Sequence, residues 1–304
     1  MTKNRGLYLL LVIFTISACK TTATEALPPV PEDIRPTATT AVPEVLEENI
    51  PPEIKESTDL DPDPALLTIP TEDGREIKAT FYPAKMKSSP IIVLMHWYPG
   101  DQNEWTEIAY WLQHRGLGGE LNGVPWKDPS WFPVLDPDES YNVLSFSFQG
   151  CEGNCKDYLP QLWLQDAKTA LEYARTLDEV DPDQVISIGA SIGGDGAIDG
   201  CAAVLEQDPA ACLGALSLSP GNYLDIPYSE MVTALGENNP PRPAWCLFDQ
   251  NDAESAFCSE IEEDHYYQES WSDGNLHGMH LITPFLEPQP LERILEFIRM
   301  VTGD

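Results

Sequence analysis

The chain predicts an α/β domain: a doubly wound, mostly parallel sheet with helices on both faces and no large cap domain. Three observations carry that expectation. Fully apolar, β-branched runs recur, as in Ile91-Ile92-Val93-Leu94-Met95 and Val185-Ile186-Ser187-Ile188. Strands covered on both faces read this way instead of alternating apolar with polar. Segments of helical period separate these runs, and strand–helix alternation favours parallel pairing with right-handed crossovers. Finally, one apolar run passes straight into Gly189-Ala190-Ser191-Ile192-Gly193, which reads as a sharp strand-to-helix join.

Taken in order, the folded part is placed at residues 65–304 and opens near Leu66-Leu67-Thr68-Ile69. Glu72-Asp73-Gly74-Arg75 is a hairpin signal ahead of the alternating stretch 76–81. The strand Ile91–Met95 ends in His96-Trp97-Tyr98-Pro99-Gly100-Asp101, and Trp105, Ile108, Ala109 and Leu112 then recur at helical spacing. An aromatic and proline-rich insert, 116–140, contains Trp126, Trp131 and Phe132. It joins a helix to the start of a strand, so topology places it at the sheet edge away from the strand ends. The next strand, 143–148, ends at Gln149-Gly150-Cys151-Glu152-Gly153. Leu164, Ala167, Leu171, Ala174 and Leu177 form one helical stripe leading to the Ser191 join. Beyond it, 213–220 and 244–249 give two further strands. The stretch 221–242 has room for a helix and not for a cap, and Leu291, Ile294, Leu295 and Ile298 mark a final amphipathic helix.

The sequence before residue 65 differs in kind. Lys3 and Arg5 precede an apolar run from Leu7 to Ile16, followed by Ser17-Ala18-Cys19. A basic start, a short apolar stretch and small residues at the join describe an export signal over 1–18, too short to be a membrane span. The arrangement resembles the lipobox of bacterial lipoproteins, which implies lipidation of Cys19 and an anchor at the surface of the cell envelope. Residues 19–64, rich in Pro, Thr and Glu, bury too little to order themselves and read as a tether.

The formal charge of −33 argues against a nucleic-acid partner and against attraction of anionic substrates. Of the seven cysteines, six remain once Cys19 is set aside. An even number in an exported chain suggests disulfides. Neighbours along the chain are the natural pairs: Cys151 with Cys155, Cys201 with Cys212, and Cys246 with Cys258. Zinc at Cys151 and Cys155 is the competing reading, and no matching second pair or histidine follows nearby to complete it.

Gly-x-Ser-x-Gly at a strand-to-helix join is the pattern that lifts a serine onto a strained turn as a nucleophile. Serine needs a base to take its proton, and the base needs a carboxylate to fix its tautomer. His277, in a loop before the last helix, and Asp252, shortly after the strand 244–249, follow Ser191 in the chain. Asp249 is the rival acid but sits at the very strand end, and His280 is the rival base but adjoins apolar Leu281.

With the Ser191 join, the order Ser191–Asp252–His277 and the strand-end loops at 96–101 and 148–150, residues 66–302 resemble the α/β-hydrolase superfamily, near the dienelactone hydrolases and acyl peptidases. The resemblance implies a serine hydrolase, most simply a carboxylesterase acting on small or medium acyl esters through an acyl-enzyme, with no cofactor or metal. A peptidase or amidase on the same fold, and a non-catalytic binding protein on this scaffold, are the alternatives. The oxyanion hole would take the N–H of Ile192 and a second from Tyr98 or Trp97, because Pro99 has none. Many relatives have His-Gly where this chain has His96-Trp97. His96 itself is expected to be a structural hydrogen-bonding residue. The expected site is open, lined in part by Trp97 and Tyr98.

Overall fold

The computed structural model describes residues 63–115, 123–272 and 274–303. The expected export signal at 1–18, Cys19 and nearly all of the expected tether lie outside the described residues, as does the start of the insert. Among the described residues no helix is long and apolar enough to cross a membrane.

Eight strands form one sheet: β1 (Ala65–Pro70), β2 (Glu76–Tyr82), β3 (Ser89–Met95), β4 (Asn142–Phe146), β5 (Val180–Ala190), β6 (Gly214–Leu218), β7 (Ala244–Asp249) and β8 (Tyr266–Trp271). Their spatial order is β1-β2-β4-β3-β5-β6-β7-β8. β1 and β2 form the expected hairpin, with Ile69 opposite Ile77, and Gly74 takes the left-handed turn conformation at φ +85°. β2 also runs antiparallel to β4, whereas every pairing from β4 to β8 is parallel.

The central strands bury both faces, as their unbroken apolar runs require. Ile91, Val93 and Met95 join the core under α2 (Pro160–Ala174), α3 (Ile192–Leu205) and α4 (Tyr228–Gly236). Ile92 and Leu94 point the other way, into a core shared with α1 (Thr106–Trp111) and α5 (Pro290–Thr302). α3 is buried nearly all round, which explains its small residues: a Cβ on Gly200 would come within 3.1 Å of Ala167 in α2. α4 fills the stretch where only a helix had room.

Two features depart from the sequence reading. β8 was not foreseen: Tyr266-Tyr267-Gln268-Glu269-Ser270-Trp271 is a half-exposed edge strand with polar residues and no apolar run. The insert also does not stay at the far edge. Trp126 packs edge-on against Trp97 and His280, with ring centroids 5.7 and 5.2 Å apart. Glu104 holds it there, accepting from Trp126 Nε1 at 3.0 Å and from Lys127 Nζ at 2.9 Å. The physical reason is coverage. α1 has six residues and cannot shield this face of the sheet alone, so Trp126 and Phe132 complete the core there.

All three neighbouring disulfides are present: Cys151–Cys155, Cys201–Cys212 and Cys246–Cys258. Cys151 and Cys155 are therefore not a metal-binding pair.

Candidate active site

The site begins at the end of β5. Ser191 sits at φ 53° and ψ −119°, a strained conformation for a residue with a Cβ. Two glycines permit it. A Cβ on Gly189 would lie 1.9 Å from the carbonyl oxygen of Gly193, and one on Gly193 would lie 2.3 Å from that of Met95. The turn is tied down by the Ser191 N–H, which donates to Leu218 O at 2.8 Å.

Loops after β7 and β8 bring up the partners. Ser191 Oγ lies 2.8 Å from His277 Nε2, and His277 Nδ1 lies 2.7 Å from Asp252 Oδ2. A carboxylate accepts, so Nδ1 carries the proton and Nε2 faces the serine hydroxyl as an acceptor. Asp252 is buried and also accepts from Ser255 Oγ at 2.8 Å and from the Glu254 N–H at 3.2 Å. Burial pushes its carboxyl upward, but hydrogen bonds from His277 and Ser255 outweigh that and hold it below the ordinary value.

The rivals have other work. Asp249 Oδ1 accepts from the Asn251 N–H at 2.8 Å and shapes the turn after β7. The His280 ring sits between Trp97 and Trp126, with centroids 4.9 and 5.2 Å away. His96 is wholly buried: Nδ1 donates to Trp97 O at 2.7 Å, and Nε2 accepts from the Phe148 N–H at 3.0 Å. Burial pushes its imidazole down to about 4, so it is a neutral strut between the loops after β3 and β4. Cys155 N–H adds a tie to Tyr98 O at 3.1 Å. The loop carrying Trp97 and Tyr98 is thereby fixed beside Ile192, whose N–H opens α3 and has no acceptor within the helix.

Above Ser191 lies an open cleft of about 440 Å³, lined by Trp97, Tyr98, Tyr158, Ile192, Tyr223, Glu254 and His277. No described part of the insert lines it. Sequence reading had Trp97 and Tyr98 but missed Tyr158, Tyr223 and Glu254. Tyr223 follows β6 at the carboxyl edge of the sheet, a topological signal that was there to use. Glu254 stands two residues past Asp252. Tyr158 lies in the loop between the carboxyl end of β4 and α2 and carried the same signal.

Asp195 is buried in the first turn of α3 and accepts from the backbone N–H groups of Gly221, at 2.9 Å, and Tyr223. Burial pushes its carboxyl up to about 7 against those bonds. It anchors the loop that carries Tyr223, a use beyond the favourable helix-terminus interaction that its position suggests.

One group among the described residues could approach a metal. Donor atoms of Asp252, Glu254 and His277 lie within 4.8 Å of one another. A cation there would compete with the His277–Asp252 bond, so the donor set fits the paired histidine better than an ion.

Fold and site together define an α/β-hydrolase with a serine, histidine and carboxylate in hydrogen-bonded series. Residues 65–217 match the acetyl xylan esterase (AXE1) family, and the chain belongs to that family. It is accordingly a serine hydrolase acting on carboxylic esters. The matched span holds Ser191 but ends before Asp252 and His277, whose placement rests on the geometry above. No curated protein matches the sequence.

Solved structures share the fold. A thermophilic carboxylesterase cloned from a metagenomic library is 15% identical, with a TM-score of 0.51 over 80% of this chain and 90% of that one. A Pyrococcus furiosus esterase is 17% identical, with a TM-score of 0.53 over 78% and 92%. An acetyl xylan esterase from a Paenibacillus species is 14% identical, with a TM-score of 0.52 over 78% and 83%. At such identities the likeness is one of architecture.

Proposed function

We propose that Ser191, His277 and Asp252 are the catalytic triad of an esterase that removes small acyl groups, acetyl foremost, from an exported, lipid-anchored position. The observation that carries the catalytic part is the unbroken series Asp252–His277–Ser191, with contacts of 2.7 and 2.8 Å.

In this reading Ser191 Oγ attacks the ester carbonyl carbon as its proton passes to His277 Nε2. Asp252 accepts from Nδ1–H and stabilises the imidazolium that forms. The developing oxyanion accepts from the N–H of Ile192 and from a second N–H on the Trp97-Tyr98 loop. Nε2 then returns its proton to the departing alcohol, leaving the acyl group on Ser191. Water, deprotonated by the same nitrogen, releases the acid and restores the hydroxyl. The family name supports acetyl as the acyl group, and an open cleft of about 440 Å³ leaves room for a larger alcohol half.

Acetate release from acetyl esters tests this. Ser191→Ala and His277→Ala should each lose at least about a thousandfold in kcat. Retention of a tenth of the activity by either would contradict the assignment. For the anchor, support comes from the basic start, the apolar run and Ser17-Ala18-Cys19, together with three disulfides suited to an oxidising compartment. Cys19→Ser should move the protein from the membrane to the soluble fraction; continued membrane retention without lipid would count against it.

A further inference from the structure

The cleft wall on the His277 side is acidic and aromatic. Glu254 is exposed at its rim beside Tyr223, and Tyr98 and Tyr158 are also among the residues lining the cleft. Among the described residues no Lys or Arg lines the cleft. An exposed carboxylate is commonly mobile, but this one is held: Tyr223 O–H donates to Glu254 Oε2. Tyr223 is held in turn. Its N–H donates to buried Asp195, and its carbonyl oxygen accepts from the Tyr158 hydroxyl. The Tyr223 ring stands edge-on to His277, centroids 6.3 Å apart. The wall is thus a connected framework from the α3 carboxylate to the cleft rim, and it presents a fixed negative charge.

Its side of the cleft matters. His277 Nε2 must hand its proton to the leaving oxygen, so the wall beside His277 faces the alcohol half of the ester. A Glu254 oxygen lies within 4.8 Å of both a His277 ring nitrogen and an Asp252 oxygen. Aromatic rings with a carboxylate attract ammonium groups by cation–π and charge attraction, and they repel a carboxylate.

We infer that Glu254, held by Tyr223 in a cleft also lined by Tyr98 and Tyr158, is a specificity residue that selects esters whose alcohol half carries an ammonium group and rejects those carrying a carboxylate. This rests on Ser191 and His277 being the reacting pair. The chain's net charge of −33 acts in the same direction at long range, and a local test separates the two.

The test uses isosteric acetate esters: 2-(trimethylammonio)ethyl acetate, neutral 3,3-dimethylbutyl acetate, and an acetate ester ending in a carboxylate at similar reach. For the unaltered protein, kcat/KM should favour the ammonium ester over the neutral one by about fivefold and disfavour the carboxylate ester similarly, as expected for a charge about 4–5 Å away in high dielectric. Glu254→Gln keeps an acceptor for the Tyr223 hydroxyl while removing the charge. It should bring the ammonium-to-neutral ratio to within twofold of unity, whereas Glu262→Gln, a charge change outside the cleft, should leave the ratio as it was. A ratio at or below one in the unaltered protein, or one unmoved by Glu254→Gln, would overturn the inference.

Binding keeps the two readings distinguishable. The ammonium alcohol, titrated calorimetrically into Ser191→Ala, should bind at least about threefold tighter than its neutral isostere, and the preference should vanish when Glu254→Gln is added. That pattern without turnover of any ester would refute Ser191 as nucleophile and leave the cation site standing. Turnover abolished by Ser191→Ala, with no charge preference in either assay, would do the reverse.

Discussion

Gly193→Ala adds one methyl group where the Ser191 turn meets the end of β3. The new Cβ would lie 2.3 Å from Met95 O, 2.5 Å from Met95 C and 2.6 Å from His96 O. All three are backbone atoms, and real Cβ atoms essentially never come closer than 3.0 Å to such neighbours. α3 and the β3 end must therefore part by at least about 0.7 Å. Overpacking of this kind costs roughly 1–3 kcal/mol, set against about 1 kcal/mol gained from alanine's helix propensity. The larger effect falls on catalysis. The strand end that moves leads into the Trp97-Tyr98 loop, and a misplacement near 1 Å costs on the order of 100-fold. The expected result is a 10- to 100-fold fall in kcat for acetyl ester hydrolysis, with an unfolding free energy within about 2 kcal/mol of the unaltered protein. Gly200→Ala is the control. Its Cβ would come no closer than 3.1 Å, to side-chain atoms of Ala167 and Leu171, so kcat should stay within about twofold. Gly193→Ala with unaltered kcat and stability would show that α3 and β3 do not abut as described.

Asp252→Asn should lower kcat by about 10³- to 10⁴-fold, because the amide cannot fix the His277 tautomer or balance the imidazolium; a loss under tenfold, measured on acetyl esters, would contradict its role. The Asp195 carboxyl lies at about 7 against an ordinary 3.8, so between those values the folded state binds the extra proton and stability falls as pH rises. Over pH 5 to 8 the loss from this group should be roughly 2–3 kcal/mol at about 1.4 kcal/mol per pH unit. Urea unfolding at the two pH values should show it in the unaltered protein and not in Asp195→Asn; equal pH dependence in both would refute it. Cys246–Cys258 closes the loop that carries Asp252 and Ser255, with a sequence separation of 12. Replacing both cysteines by alanine should cost roughly 3 kcal/mol, or about 6–12 °C in Tm, by calorimetry; a change under about 2 °C would count against a stabilising role.

What was legible in the sequence follows from local physics. Strands buried on both faces show as apolar runs, so β3, β4, β5, β6 and β7 could be placed. The Ser191 turn needs glycine at two close approaches, and those glycines are visible as a motif. Asp252 could be named because it lies in a loop after an expected strand and His277 because it lies in a loop before the last helix, and the geometry brings both to Ser191. β8 stayed hidden because an edge strand needs no apolar run. Trp126 was misplaced because topology says where a segment starts and ends, and packing decides where it goes between. Glu254 and Tyr223 were missed for a related reason: their link is a contact across 31 residues, which no local pattern records.

The most direct test of the Ser191 assignment is labelling with a fluorophosphonate probe, followed by peptide mass mapping. One equivalent of probe on the peptide bearing Ser191, with no labelling of Ser191→Ala or His277→Ala, is the expected result. Folded protein that takes up no probe, or carries it on another serine, would contradict an activated nucleophile at the end of β5.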